Sequence, residues 1–216
     1  MSASTEERLL DAALTLFAER GYEATSVRAI LDAVGVTAPV LYHHFGSKEQ
    51  LFERLVRWKH EDALAELEGI VASPRSAVER LRAILRGTFA FCVDEPRVTQ
   101  LMFQTWYGPA ASELREIVRA HAERRFLLVA GVVQDGLDRG DLRGGDAASL
   151  ALVFCSLMDH HCGALARTDD PGRTLTQDRA DALLEVFLHG TGGGRRRVPS
   201  LPPFDAAHGA GQRAAR

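Results

Sequence analysis

The sequence predicts an all-α fold, in which a small N-terminal domain of three helices precedes a larger C-terminal helical bundle domain. Apolar residues recur at a spacing near 3.6 residues along almost the whole chain, and no segment alternates apolar and polar residues for long. Helix-capping residues and glycines interrupt this pattern at intervals that suit separate helices. With 216 residues, the chain can bury a sizeable core without disulfides.

The first fifty residues predict a helix, a short helix, a tight turn and a second short helix. The first helix starts at Ser4, whose hydroxyl can cap it while Glu7 reaches back to complete a capping box. Thr25 is the predicted cap of the next helix, and Gly35 ends that helix as a left-handed residue. A third helical segment follows over residues 37–45.

The rest of the chain predicts six longer helices separated by proline and glycine breaks. Ser73 and Pro74 form a predicted cap, with proline in the first helical position. The expected helices cover about residues 47–72, 73–92, 97–106, 110–138, 146–166 and 175–189. We therefore expect an N-terminal domain at 1–50, a second domain at 51–190 and a disordered tail at 191–216.

Composition favours a cytoplasmic protein but does not point to a nucleic acid. Three widely spaced cysteines, no signal peptide and no long apolar run predict a reducing compartment and no membrane span. The formal net charge is −3, and residues 1–60 carry seven basic and eight acidic side chains. A nucleic-acid-binding domain is usually basic, so any DNA-binding assignment must depend on the residue pattern.

The segment from Thr25 to Phe45 has the spacing of a helix-turn-helix, with Gly35 at its corner. Leu41 and Phe45, four residues apart, are expected to pack inward against the preceding short helix. A motif of this kind presents its second helix to the major groove of DNA. The side chains left on outward faces are Thr37, Ala38, Val40, Tyr42, His43 and His44.

At these residues the chain closely resembles the tetracycline-repressor (TetR) family of bacterial transcription regulators. The matching pattern, which covers about residues 6–55, is Leu9-Leu10-x-Ala12-Ala13-x-x-Leu16-Phe17-x-x-x-Gly21-Tyr22, then Thr25-Ser26-Val27, Gly35-Val36-Thr37 and Leu41-Tyr42-His43-His44-Phe45-x-Ser47-Lys48-Glu49-x-Leu51. The resemblance implies a homodimer that binds a pseudo-palindromic operator in double-stranded DNA. It also implies a repressor, not an enzyme, that a small-molecule ligand releases from the operator.

The resemblance also implies which residues contact DNA. Carried over by position, they are Thr25, Ser26, Arg28, Thr37, Ala38, Pro39, Val40, Tyr42, His43, His44 and Lys48. Two positions depart from the family pattern: Leu31 stands where a small alanine is common, and Val40 removes a frequent hydroxyl. The operator sequence therefore stays open.

Two further clusters give expectations for the second domain. Aromatic and sulfur side chains around a helix break suit either a core or the wall of a pocket for a small apolar or aromatic effector: Met102, Phe103, Trp106, Tyr107 and Phe126. Apolar residues on the last two long helices are the predicted dimer interface: Leu150, Phe154, Leu157, Leu183 and Phe187.

Other interpretations stay open at this point. Taken alone, His43 and His44 suit two solvated histidines at a core edge. Cys155, Asp159 and Cys162 share a helix face but lack a convincing fourth ligand, so we expect no metal and no cofactor. The alternatives are a helical enzyme, a DNA-binding protein that ignores ligands, and a transcriptional activator.

Overall fold

The computed structural model describes residues 4–107, 112–165 and 170–189, and within them all regular secondary structure is helical. The all-α prediction is confirmed. The helices are α1 Thr5–Arg20, α2 Val27–Val34, α3 Ala38–Phe45, α4 Lys48–Ala72, α5 Ala77–Asp94, α6 Pro96–Tyr107, α7 Ser112–Arg139, α8 Ala147–Leu165, α9 Pro171–Thr174 and α10 Gln177–His189. No helix among the described residues is both long and apolar enough to cross a membrane.

Local signals fix several helix ends as predicted. The Ser4 hydroxyl accepts a hydrogen bond from the Glu7 amide, and the Glu7 carboxylate accepts one from the Ser4 amide. Gly35 adopts the left-handed conformation at the end of α2, with φ 75° and ψ 38°. At the start of α4, the Gln50 amide donates to the Ser47 hydroxyl over 3.1 Å.

The later chain differs from the sequence prediction in two places. Helix α5 does not begin at Ser73 and Pro74, because Ser76 caps it and forms reciprocal bonds with Glu79. The short α9, which Asp170 caps, was not predicted at all. The predicted tail at 191–216 lies outside the described residues.

The chain divides into two compact units whose segments alternate along the sequence. The first unit combines residues up to 72 with residues 95–128, and the second combines residues 73–94 with those from 129 onward. The domain boundaries at residues 50 and 190 stay predictions.

The first unit is built around α1, which packs against α2, α4 and α6. Phe17 and Phe52 are fully buried in its core, and burial of large apolar side chains is the main source of stability. Polar contacts add to the packing of α6 on α1: Arg97 pairs with Asp11 at 3.2 Å, and the Gln104 amide donates to the Ala18 carbonyl.

The second unit packs α10 against α5 and α8. Its core contains Phe154 and Leu183, which are only 1% and 2% exposed, and the Phe154 ring meets the Phe187 ring at 5.3 Å. These two residues therefore have almost no surface left for a partner subunit. Leu150, Leu157 and Phe187 are half-buried, and the assignment of these residues to a dimer interface stays a prediction.

Candidate nucleic-acid interface

Thr25 connects the end of α1 to the start of α2 from a buried position. Its side chain is 1% exposed, and its hydroxyl donates to the Leu16 and Gly21 carbonyls at 3.1 and 2.8 Å. The cap of α2 is therefore Ser26, whose hydroxyl accepts from the Ala29 amide, and not Thr25 as predicted. The Thr25 side chain is enclosed, and its hydroxyl bonds hold the chain directly before Ser26 against the end of α1.

The far end of α2 is fixed by a side chain from α1. The Arg8 guanidinium donates to the Val34 carbonyl over 2.6 Å, where α2 ends. A cation at a helix C-terminus also interacts favourably with the helix dipole. Gly35 then turns the chain toward α3, and its amide donates back to the Leu31 carbonyl.

Helix α3 has one buried face and one solvent face. Leu41 and Phe45 are 0% and 6% exposed, which confirms the predicted inward packing. Tyr42 is 50% exposed, although tyrosine is large and partly apolar. The other residues outside the core are Thr37, Pro39, His43 and His44, which are exposed, and Ala38 and Val40, which are half-buried.

Several polar side chains of α2 and α3 can form further hydrogen bonds or ion pairs. The Thr37 hydroxyl makes no capping bond at the start of α3. The Ser26 hydroxyl accepts a bond and keeps its own proton to donate. Arg28 pairs with Asp32 at 3.7 Å, but both side chains are highly exposed, so the pair is weak and Arg28 can turn to another anion.

The first residue of α4 lies against an aromatic ring. The Lys48 ammonium is 3.9 Å from the centroid of the Tyr22 ring. Burial lowers the pKa of Lys48, and the nearby Glu23 and Glu49 carboxylates partly offset that effect. The pKa of Glu49 is itself lowered, first by its own backbone amide and then by the Ser47 and Tyr22 hydroxyls.

Several carboxylates of the first unit are neutralised by arginines. Glu6 pairs with Arg54 at 3.2 Å, and Glu53 pairs with Arg57 at 2.6 Å. The Arg97 guanidinium of α6 pairs with Asp11. Arg54 and Arg57 are already counted among the basic residues of the first sixty, so only Arg97, which lies outside that segment, offsets its acidic excess.

The structure therefore brings ten of the eleven predicted DNA-contact residues to accessible or partly accessible positions in α2, α3 and the start of α4. Sequence reasoning missed the supporting roles of Arg8 and Tyr22. Tyr22 stood in the quoted pattern directly after Gly21, and that position was the available signal. Arg8 had no signal, because its acceptor is 26 residues away.

The aromatic residues assigned to an effector pocket lie on α6 and α7 in the first unit. Met102, Phe103 and Phe126 are half-buried, whereas Trp106 and Tyr107 are 41% and 72% exposed. The Phe103 and Tyr107 rings stack with their centroids 6.0 Å apart. Their role in ligand binding stays a prediction.

The cysteine-containing face of α8 does not assemble a larger cluster of ligands. Cys155 and Cys162 are both buried. Within the described ranges, no three His, Cys, Asp or Glu side chains converge in a way that could hold a metal ion.

Comparison with known proteins agrees with this geometry. Residues 9–55 match the family model of bacterial regulatory proteins of the tetR family. The chain is 33% identical over 184 residues to the HTH-type transcriptional repressor KstR2 of Rhodococcus jostii, and the match covers 84% of this chain and 88% of that protein.

Solved structures with the same fold match most of the chain. The regulator PfmR of Thermus thermophilus is 26% identical with a TM-score of 0.73, over 89% of this chain and 100% of that one. The regulator FadR of Bacillus subtilis, solved with stearoyl-CoA, is 19% identical with a TM-score of 0.76, over 85% of this chain and 98% of that one. The second likeness shows the fold alone.

Proposed function

Because this chain belongs to the tetR family of bacterial regulatory proteins and is a DNA-binding transcriptional regulator, we propose that it represses transcription from a pseudo-palindromic operator. A small-molecule effector releases it from that operator. It acts by binding in the cytoplasm, where the DNA lies, and not by catalysis.

The exposed face of α3 is the observation that carries this proposal. Leu41 and Phe45 anchor the helix, while Tyr42, His43 and His44 project from the same short helix into solvent. A helix held this way can enter the major groove, which is wide enough to admit it. The Thr37 hydroxyl and the aromatic and imidazole side chains then reach base edges or phosphates.

Groups around α3 set the register without reading sequence. The Ser26 hydroxyl, the Arg28 guanidinium and the Lys48 ammonium are suited to phosphate oxygens, which fix the position of a protein on the duplex. The half-buried methyl groups of Val40 suit contact with a thymine methyl. Few polar contacts then read the base sequence directly, and the shape of the DNA contributes the remainder of the specificity.

Binding as a homodimer follows from the small size of this surface. One short helix reads too few base pairs for tight specific binding, whereas a two-fold dimer places two such helices about 34–36 Å apart, one turn of the duplex. Leu152 and Val153 of α8 are 60% and 50% exposed and are better candidates for the contact than the buried Phe154. Exposed apolar side chains of this kind often mark a protein interface.

The effector is an apolar or aromatic compound, and the half-buried and exposed aromatic side chains of α6 support that chemistry. Ligand and operator binding are coupled, so each must weaken the other by the same factor. Stearoyl-CoA, which FadR of Bacillus subtilis binds, is a suitable first probe. Equal affinity for effectors with and without operator would rule the coupling out and leave a DNA-binding protein that ignores ligands.

Recovery of bound fragments from a genomic DNA library, at about 0.15 M salt, tests the DNA-binding proposal. A chain with Tyr42→Ala and His43→Ala is the control, because both side chains are exposed and the core of the unit is left intact. We expect a shared palindrome with the wild type and none with the control. Salt-sensitive binding without a motif, unchanged in the control, would contradict a specific regulator.

A further inference from the structure

The Tyr22 ring is held rigidly by two buried aromatic neighbours. Its centroid is 5.2 Å from that of Phe17 and 5.5 Å from that of Phe52, and it meets the Phe52 ring edge to face. Phe17 and Phe52 are both fully buried. Aromatic pairs in these tilted and edge-to-face arrangements are favourable, so the Tyr22 ring has a fixed place.

The Lys48 side chain ends over the face of this ring. A distance of 3.9 Å between the ammonium and the ring centroid lies well within the range of a cation–π interaction. Lysine has a flexible stem of four carbons, and its ammonium has three rotatable donors. The ring lies on one side of the ammonium. The Glu23 and Glu49 carboxylates also attract the ammonium, so a DNA phosphate competes with them for its donors.

We propose that Tyr22 is a positioning residue that holds the Lys48 ammonium where it meets a phosphate of the DNA backbone. This inference rests on the proposed function, because it needs Lys48 at the DNA surface. A free lysine side chain loses rotamer freedom when a phosphate immobilises it, and that loss weakens binding. A lysine that the ring already holds loses less, so the rigid ring improves DNA affinity without touching DNA.

A second lysine on the same helix provides a matched comparison. Lys59 lies 4.5 Å from the centroid of the Trp58 ring, but its ammonium also contacts the Glu95 carboxylate at 2.8 Å. It lies eleven residues further along α4, about 16 Å away along the helix axis. The Lys59 charge is already satisfied within the protein, so Lys59→Gln is the control for the loss of a ring-bound lysine.

A double-mutant cycle between Tyr22 and Lys48 tests the inference in the full-length chain. Binding to a fluorescent duplex of about 30 base pairs and mixed sequence is measured from about 0.05 to 0.2 M salt, because phosphate contacts act on any sequence. Lys48→Gln should weaken binding and reduce the salt slope by about 0.9 for each phosphate that the lysine neutralises. Lys59→Gln should change neither the affinity for the duplex nor the salt slope.

Tyr22→Leu removes the ring and should weaken DNA binding roughly two- to tenfold, the cost of ordering a long side chain. In the Lys48→Gln background the same change should have no effect, because no ammonium remains to be positioned. Tyr22→Phe keeps the ring face and should restore binding to near the wild-type level.

A second replacement covers the case in which Tyr22→Leu does not fold. Trifluorophenylalanine at position 22 keeps the shape of a ring but withdraws electrons from its face, so it should weaken binding relative to Tyr22→Phe. An equal loss with and without Lys48, or no loss at all, would overturn the inference while the DNA-binding proposal stands. Lys48→Gln without any effect would overturn both this inference and the proposed Lys48–phosphate contact.

Discussion

A buried hydroxyl at Thr25 connects the last turn of α1 to the start of the helix-turn-helix. Its proton is shared between the Leu16 and Gly21 carbonyl oxygens. Thr25→Val keeps the shape of the side chain but leaves these acceptors without that donor. We expect the free energy of unfolding to fall by about 1–2 kcal/mol, measured by urea denaturation.

Thr105→Val is the matched control for this change. Thr105 is also buried, but its hydroxyl donates to the Leu101 carbonyl within its own helix, α6. A carbonyl in that position already accepts a helical hydrogen bond, so we expect a change below about 0.5 kcal/mol. Equal losses in the two variants would show that the Thr25 hydroxyl adds nothing beyond a generic buried hydroxyl.

His60 on α4 makes stability depend on pH. Burial, together with the charges of His121 and Arg125, lowers its pKa to about 4, although its Nδ1 lies 3.1 Å from the Val56 carbonyl, which favours the charged form. Between the unfolded pKa of about 6.5 and the folded value, the unfolded chain therefore binds more protons. Stability is complete above about pH 6.5 and is lost progressively as the pH falls toward 4.

The resulting loss from His60 is about 2–3 kcal/mol on going from pH 7 to pH 4. His60→Phe keeps a ring in the site and removes the titrating group, so its thermal midpoint should depend less steeply on pH than that of the wild type. Identical pH slopes for the two proteins would show that His60 does not titrate differently in the folded and unfolded states.

At the scale of the helices, Gly35 is the residue that the turn between α2 and α3 requires. Its φ of 75° is left-handed, yet a Cβ built there meets nothing within 4 Å. The cost of Gly35→Ala is therefore conformational and not steric, and we expect a loss of about 1–2 kcal/mol in the free energy of unfolding by urea denaturation.

Gly69→Ala is the control, for which we expect a change of opposite sign in the free energy of unfolding. Gly69 lies inside α4, and a Cβ there also meets nothing within 4 Å. Alanine forms helix better than glycine, so this change should stabilise the protein by up to about 1 kcal/mol. Destabilisation by both substitutions would contradict the conformational explanation.

How far the sequence predicts each helix depends on how local its signals are. Ser4 with Glu7 and the left-handed Gly35 are signals contained within a few residues, and both ends lie as predicted. Ser26 and Thr25 are both hydroxyl residues at the start of α2, and only the position of α1 decides which one caps the helix. The cap of α5 was displaced from Ser73 to Ser76 because two serines offered similar signals.

The same limit applies to the candidate sites. The inward and outward faces of α3 followed from spacing alone, because Leu41 and Phe45 are one helical turn apart. Apolar spacing on α8 could not separate Phe154, which is core, from Leu152, which is exposed, because both types of surface are apolar. The contact between Lys48 and Tyr22 joins residues on different elements and needed the fold.

At the scale of the whole molecule, we predict that dimerisation uses the exposed apolar surface of α8. Leu152→Glu with Val153→Glu places two charges on side chains that are now 60% and 50% exposed. The monomer should stay folded, because neither side chain is in its core, while a symmetric contact would bring the new charges together. Light scattering should then report a monomer.

Leu127→Glu provides the control for this prediction. Leu127 of α7 is also a large exposed apolar side chain, at 63%, and lies in the other unit. Its replacement should leave the dimer intact. Dissociation by Leu127→Glu, with the α8 variant still dimeric, would move the interface away from α8.

The support that α6 gives to α1 has a consequence for how DNA specificity can be exchanged between relatives. Arg97 and Gln104 reach Asp11 and the Ala18 carbonyl from a stretch of chain that follows an excursion into the second unit. A graft that swaps only the first fifty residues would import an α1 surface that the host's α6 has not matched. We therefore expect that a functional chimaera has to transfer residues from both sides of the excursion, the α1 surface together with its α6 partners.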